Sequence, residues 1–409
     1  MPDSDFDCII IGGSANGAQA AYTASKEGIS VAVIEEHEVT GFPEHCSGLF
    51  SYWGLNQLDC MPPDEIVFNH DIYGSRIVSP NGKILQVRKK DKHALVCDRA
   101  RFDQFLVERA KNAGSTFFQP YKALDAKRVG NLVEVEIQSQ SDERIITAPL
   151  IISAEGVRGG IASKLGLQPP QPQTIVNASQ FYMSNLHSID SQLVEVIQSQ
   201  KFAKDFFAWV IPMSDTEAKI GLGTAYKAAS KQLEQLLKEH PLLKEHCDGA
   251  EIYRRTAGRI PFCGPVKKTV ADNLILTGDV AGQTKPTTGG GVILGGIAAQ
   301  IAGKTAVQAV KNSNYSNKFL MSYHKSWRKE MIWNLRLMKL VRNYMNRLSD
   351  DEVSQFFSKL EKKNILRDIE EYGHVDDQGT LVKKFMKTIS LYPFYIKTSP
   401  RLVKSLFSM

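Results

Sequence analysis

The chain has 409 residues, 43% hydrophobic, 23% charged and 9% aromatic, a balance that supports packed cores and excludes disordered and fibrous classes. At this length a single core stops growing, so two connected domains are expected. Lys and Arg number 50 against 44 Asp and Glu, a formal charge of +6, which is too mild for a nucleic-acid binder unless the excess is concentrated.

The six cysteines, Cys8, Cys46, Cys60, Cys97, Cys247 and Cys263, are widely spaced and form no Cys-x-x-Cys pair. This spacing predicts neither a zinc site nor a disulfide framework and suits a reduced, cytoplasmic compartment. The N-terminus carries acids where a signal peptide carries positive charge, and no stretch reaches the roughly 20 apolar residues of a membrane span. Any membrane contact is therefore expected to be peripheral.

Phe6 to Ile11 is a buried-strand run. It leads into Gly12-Gly13-Ser14-Ala15-Asn16-Gly17, then a helical pattern, then a second strand, Ile29 to Ile34, ending at Glu35. This is the βαβ unit of a dinucleotide-binding half, with Gly12 for the tight turn and Gly17 for close helix packing. Ser14 stands where the middle glycine is usual. The helix start at Ala15 offers free N–H groups to a pyrophosphate, and Glu35 is placed to accept from a ribose 2′-OH, which favours FAD or NAD over NADP.

Short strands follow from about Asp64 to Val96, broken by the hairpin signal Ser79-Pro80-Asn81-Gly82. Asp98 opens a helix, and strands are expected at Thr116–Gln119, Val129–Gln138 and Arg144–Ser153. Residues 168–173, only proline and glutamine, form a linker into four further strands (174–183, 205–212, 219–225 and 251–260). A large antiparallel sheet there suits a ligand cavity. The chain then returns to the first domain with strand Asn273–Thr277, the Gly278-Asp279 turn, the triplet Gly289-Gly290-Gly291 and a long helix from Val292. Backbone N–H groups at Gly290, Gly291 and Val292 can meet an electron-rich group, and Asp279 can hold a polyol hydroxyl. Two such sites about 260 residues apart describe a long cofactor gripped at both ends, which points to FAD.

The expected fold is α/β: a Rossmann-like FAD-binding domain (1–170 and 261–310), an antiparallel-sheet substrate domain (171–260) and a C-terminal helical region (311–409). Between Lys318 and Arg347 the basic residues Lys325, Arg328, Lys329, Arg336, Lys339, Arg342 and Arg347 face Glu330 as the one acid, and apolar residues recur at helical spacing. Such a helix either packs with a solvated basic face or lies on an anionic membrane or acidic donor. The tail 385–409 is also apolar and basic, without an acid.

Two further motifs narrow the reading. Pro43-Glu44-His45-Cys46-Ser47-Gly48 and Phe207-x-Trp209-x-Ile211-Pro212, with eight residues before Gly221-x-Gly223, resemble the P-x-x-C-x-G and Y-x-W-x-F-P…G-x-G motifs of the geranylgeranyl reductase family. That family lies within the flavoprotein superfamily of aromatic hydroxylases. The resemblance extends over residues 5–345, with Phe207 for the Tyr and Ile211 for the Phe. It implies FAD and the saturation of isolated double bonds in polyprenyl chains, as in membrane lipids of the digeranylgeranylglycerophospholipid type.

By the same resemblance, Cys46, Ser47 and Gly48 lie near the flavin ring, with Cys46 touching alkene or donating a proton and His45 as a relay. Arg99 and the backbone at Ala123 flank the adenine half. Phe207, Trp209, Ile211, Pro212, Gly221 and Gly223, with the sheet around Phe181 and Tyr182, wall an apolar tunnel. One nucleotide-binding unit is visible, so electrons are expected from a transiently bound NAD(P)H or from a protein such as ferredoxin. No metal site is expected. A flavin monooxygenase or halogenase, and a prenyl-binding protein without catalysis, are the competing readings on this fold.

Overall fold

The computed structural model describes residues 4–360 together with Glu370, Glu371, Gly373, Asp376 and Thr380; the apolar, basic tail 385–409 lies outside the described residues. The first sheet is six-stranded. Its centre is β1 (Cys8–Ile11), paired in parallel with β2 (Val31–Ile34) through Cys8↔Val31 and with a strand at Ile151–Ser153 through Ile9↔Ile151. Continuous apolar runs form these strands because both faces are buried, one under long helices and the other under an antiparallel three-stranded sheet and a short helix. Strand β3 (Leu49–Ser51) starts a three-stranded sheet with β4 (Val67–Ile72) and the strand at Ala94–Cys97.

The hairpin β5 (Gly74–Val78) and β6 (Ile84–Arg88) leaves this region and joins a seven-stranded sheet. Numbering continues with β7 (Ala94–Cys97), β8 (Thr116–Phe118), β9 (Lys122–Val129), β10 (Leu132–Gln138), β11 (Glu143–Ala148) and β12 (Ile151–Ser153). β9, β10 and β11 form their own antiparallel sheet. The single strand expected at 144–153 is thus two strands in different sheets. Pro149 stands between them and has no N–H for a ladder.

The seven-stranded sheet adds β13 (Ile175–Ser184), β14 (Leu193–Ile197), β15 (Ala208–Pro212), β16 (Ala218–Thr224) and β17 (Glu251–Pro261) in the order β17-β13-β16-β15-β14-β5-β6. It is antiparallel except where β14 runs parallel to β5. Hairpin 74–88 therefore belongs with the sheet expected at 171–260. β18 (Val270–Ala271) and β19 (Leu274–Leu276) return to the first sheet.

Helix α1 (Ala15–Ser25) packs on the long C-terminal helix Val292–Lys311 through small residues; a Cβ on Gly303 would stand 2.8 Å from Ala20 O. α2 (Tyr52–Gln57) and α3 (Arg99–Asn112) follow the Cys46 loop and β7. α4 (Gly160–Lys164) flanks the first sheet, and α5 (Ala229–Glu239) and α6 (Pro241–His246) bury Leu233, Leu236 and Leu243 against the back of the second. The remaining helices are α7 (Val292–Lys311), α8 (Asn317–Met345) and α9 (Asp350–Leu360). α7 is long and apolar enough by composition to cross a membrane, with a mean hydropathy of 1.2, but 67% of that window is buried inside the fold. It serves as a core helix between α1 and α8.

α8 buries Tyr323, Trp327, Met331, Leu335 and Met338, the first four in one core with α7. Its apolar stripe is therefore occupied, leaving the basic face exposed. Arg342 departs from that face: it is buried, in line with the stripe four residues beyond Met338.

Candidate active site

The turn between β1 and α1 is closed by backbone. Gly12 N donates to Ile34 O at 2.8 Å and Gly13 N to Glu35 Oε2 at 2.8 Å. A Cβ on Gly17 would lie 1.8 Å from Gly12 O, so only hydrogen fits where helix and turn meet. Ser14 caps α1 with extended backbone and no side-chain cap bond, and no acid lies in the first turn. The hydroxyl and the helix end are thus uncommitted among the described residues. Glu35 is buried at the tip of β2, its Oε1 also accepting from His37 N at 3.0 Å and His37 Nδ1 at 2.6 Å. The backbone of Tyr121 donates to Glu35 O at 2.8 Å, which puts Ala123, two residues on in β9, beside the same strand end.

The second glycine turn meets the first. A Cβ on Gly291 would stand 2.7 Å from Asp279 Oδ1, and those on Gly278 and Gly295 would stand 2.6 and 2.3 Å from Asn16 Nδ2. Asn16 Oδ1 is buried without a hydrogen-bond partner. Burial also pushes the Asp279 carboxyl above its ordinary range, against a lowering pull from Arg99. Gly291 caps α7 without a side-chain bond and without an acid in the first turn, and Val292 begins the helix. Gly290 O accepts from Lys285 N at 3.1 Å, rounding the turn.

Arg99 joins these turns to the Cys46 loop. Its Nε and Nη2 donate to the two oxygens of buried Asp103 at 2.7 and 3.0 Å, and the Cys46 sulfur lies within reach of the guanidinium's charge. Arg99 thus stands between the Asp279 turn and the Cys46 loop. His45 is exposed, and its Nδ1 bonds Ala257 O at 2.6 Å, which clips the loop to β17. Ser47 O accepts from Lys219 at 2.8 Å.

The aromatic motif lies on one face of β15, because Trp209 and Ile211 alternate with residues pointing to the other face. Phe207 stacks on Phe206 at 4.4 Å and meets Trp209 edge-on at 6.0 Å. Trp209 pairs in register with Gly221, where a Cβ would strike the indole at 2.6 Å; one on Gly223 would strike Phe206 at 2.5 Å. The G-x-G half of the motif thus makes room for the aromatic half. Ile211 and Tyr182 share this core with Leu49, Ala94 and Val96, so the wall faces the sheet that the Cys46 loop enters. Phe181 does not belong to it. Strand alternation turns Phe181 to the opposite face, into the core with Leu233 and Leu236.

Among the described residues no group of His, Cys, Asp and Glu suits a metal ion. A family model described as "Lycopene cyclase protein" matches residues 7–390. Digeranylgeranylglycerophospholipid reductase of Methanococcus aeolicus is 30% identical over 368 residues, 88% of this chain and 92% of that protein. The same-named protein of Methanocaldococcus jannaschii is 29% identical over 351 residues, 85% and 88% of the two chains. The chain belongs to the geranylgeranyl reductase family, within the group that the lycopene cyclase model describes. A solved geranylgeranyl bacteriochlorophyll reductase-like structure from Thermoplasma acidophilum shares the fold, with a TM-score of 0.84, 21% identity and 98% of each chain covered.

Beyond the geranylgeranyl reductase motifs, the site contains residues that the sequence reading passed over. Asn16 lies inside the glycine turn but acts across to Gly278 and Gly295. Phe206, one position before the motif, would touch a Cβ on Gly289 at 3.1 Å and so links the aromatic wall to the second turn. Arg342 donates from Nε to Pro286 O at 3.1 Å and from Nη2 to Thr287 O, and lies 4.7 Å over the Phe206 ring. Burial pushes its guanidinium down to about 10. The apolar stripe into which Arg342 falls was the signal that could have found it.

Proposed function

We propose that the chain binds FAD and uses it to saturate isolated double bonds of geranylgeranyl or related polyprenyl chains, in a membrane lipid of the digeranylgeranylglycerophospholipid kind. The observation carrying this reading is that both glycine turns, the Cys46 loop and the aromatic wall converge through Arg99, Asp279 and Phe206. The residues fit FAD. Gly12 and Gly17 leave a cradle that a Cβ would fill, Asn16 Oδ1 is an orphan acceptor, and two helix starts carry no acid. Glu35 would take the ribose, Gly12 to Gly17 and Asp279 the pyrophosphate side, Ala123 the adenine half, and Gly290, Gly291 and Val292 the ring.

Bound FAD, once reduced, supplies a hydride. An isolated trisubstituted alkene has no carbonyl to polarise it, so a proton must arrive as positive charge develops at the tertiary carbon. Cys46 holds such a proton at Sγ. Its transfer to the alkene leaves a negative sulfur beside the Arg99 guanidinium, which stabilises it as a charge-assisted pair. His45 is committed to Ala257 and serves the loop instead. Phe207, Trp209 and Ile211 orient the chain and keep water out. Reductant comes from a transiently bound nicotinamide or a protein donor.

The test is anaerobic mixing of the flavin-reduced protein with a polyprenyl lipid. Reoxidation of the flavin is expected without oxygen. Reoxidation only on admitting oxygen would support a monooxygenase, and a colourless protein a non-catalytic binder.

We place membrane contact on the exposed basic face of α8, which carries Lys325, Lys329, Arg336 and Lys339. Lys339 packs its stem against Gly264 beside Pro286, close to the second glycine turn. Each basic residue near an anionic surface contributes about 1 kcal/mol, screened by salt. Arg336→Glu with Lys339→Glu is expected to weaken binding to anionic liposomes about tenfold or more while sparing a short soluble substrate. Salt-insensitive liposome binding would contradict the electrostatic account.

A further inference from the structure

The Cys46 loop is fastened by a buried charge cluster that the chemistry above does not use. The side chains of Glu44 and Lys219 have no exposed surface, a costly state for charges unless they are fully partnered. Tyr182 donates its hydroxyl to the Glu44 carboxylate, with contacts of 2.5 and 2.6 Å to its two oxygens, and Arg254 Nη2 stands 2.9 Å from Oε2. Lys219 Nζ lies 3.7 Å from Glu44 Oε1 and donates to Ser47 O at 2.8 Å and Cys97 O at 2.9 Å.

The two carbonyls are the informative partners. Ser47 follows Cys46, and Cys97 ends β7, two residues before Arg99. One ammonium, donating to two carbonyls with the Glu44 carboxylate nearby, thus ties together the backbones that bear Cys46 and Arg99. Gly48 permits the approach: at φ +74° a Cβ would lie 2.3 Å from Cys97 O and 3.2 Å from Lys219 Nζ. The Phe68 and Tyr182 rings, 5.1 and 5.0 Å from the ammonium, complete its cage.

We propose that Lys219, compensated by Glu44, is the positioning residue that holds the Cys46 loop against β7 and so fixes where the Cys46 sulfur stands. The link from that position to turnover rests on the function proposed above; the anchoring itself does not.

The test uses the full chain and the double variant Lys219→Met with Glu44→Gln, which removes both fully buried charges at similar volume and leaves only the partly exposed Arg254 to water. Alkylation of Cys46 by N-ethylmaleimide is followed near neutral pH by peptide mass spectrometry, without substrate. Burial pushes the Cys60 and Cys97 thiols up to about 12 and Cys247 up to about 11, so these react slowly and serve as internal references.

Loosening of the loop is expected to speed Cys46 alkylation about tenfold with Cys247 unchanged, and to lower kcat at unaltered flavin content. An unchanged Cys46 rate in the folded double variant would overturn the proposal. A second measurement on the unaltered protein applies if the variant does not fold. The peptide spanning residues 44–51 is expected to exchange amide hydrogens as slowly as β7, and exchange at the rate of an open loop would equally overturn it. A protein that anchors Cys46 in both assays yet reduces no prenyl chain would contradict the proposed function alone.

Discussion

Alanine in place of Gly17 is expected to leave the protein without bound flavin. The added Cβ would sit 1.8 Å from Gly12 O and 2.9 Å from Gly12 C. Both are backbone atoms of the turn that cannot rotate aside, so α1 must move off the turn. Ordinary overpacking costs about 1–3 kcal/mol, and here the displaced element is the helix start whose N–H groups would face the pyrophosphate. A flavin affinity at least about 100-fold weaker follows from roughly 2.7 kcal/mol, together with a lower Tm. The ratio of flavin to protein absorbance after purification checks the first, and calorimetry the second. A yellow, fully loaded Gly17→Ala protein would remove this turn from the phosphate site.

Cys46→Ala is expected to do the reverse, leaving flavin in place while slowing the reaction. In the proposed function the thiol faces the reacting alkene, beside Arg99. A positioned general acid is worth about 10²–10⁴ in rate, so a loss of at least about 100-fold in the anaerobic reoxidation of reduced flavin by polyprenyl lipid is the expected result. Turnover unchanged by Cys46→Ala would reduce the residue to loop packing.

Local pattern carried much of this site into the sequence. The Gly12–Gly17 turn, Glu35 and the Gly289–Gly291 triplet are each defined within a few residues by a strand, a turn and a helix start, and the structure brings both turns together through Asn16. The aromatic motif was also legible, because Trp209, Ile211, Gly221 and Gly223 lie on adjacent strands and alternation puts them on one face.

Features that depend on pairing between distant segments were not legible. Tyr182 meets Glu44 across 138 residues and Lys219 reaches Ser47 across 172; no periodicity predicts such a meeting. Phe181 was expected in the tunnel wall beside Tyr182, yet neighbouring strand residues face opposite ways, and only the sheet register decides which faces the site. Strand β14 went unread, and its parallel pairing with β5 draws hairpin 74–88 into the second sheet. Arg342 was counted with the exposed basic face because its charge was weighed above its position, four residues after Met338. Desolvation is offset there by two carbonyls and the Phe206 ring.

The central claim is that electrons pass from this protein's flavin to an isolated prenyl double bond. The most direct measurement is the mass of the lipid recovered after a single anaerobic turnover, in which flavin-reduced protein is mixed with a digeranylgeranyl lipid and quenched once the flavin spectrum is oxidised. The account predicts a lipid heavier by two hydrogens for each flavin reoxidised, and the same lipid unaltered when Cys46→Ala protein is quenched at the same time. Flavin that stays reduced until oxygen enters, or a product that gains oxygen or halogen in place of hydrogen, would contradict it.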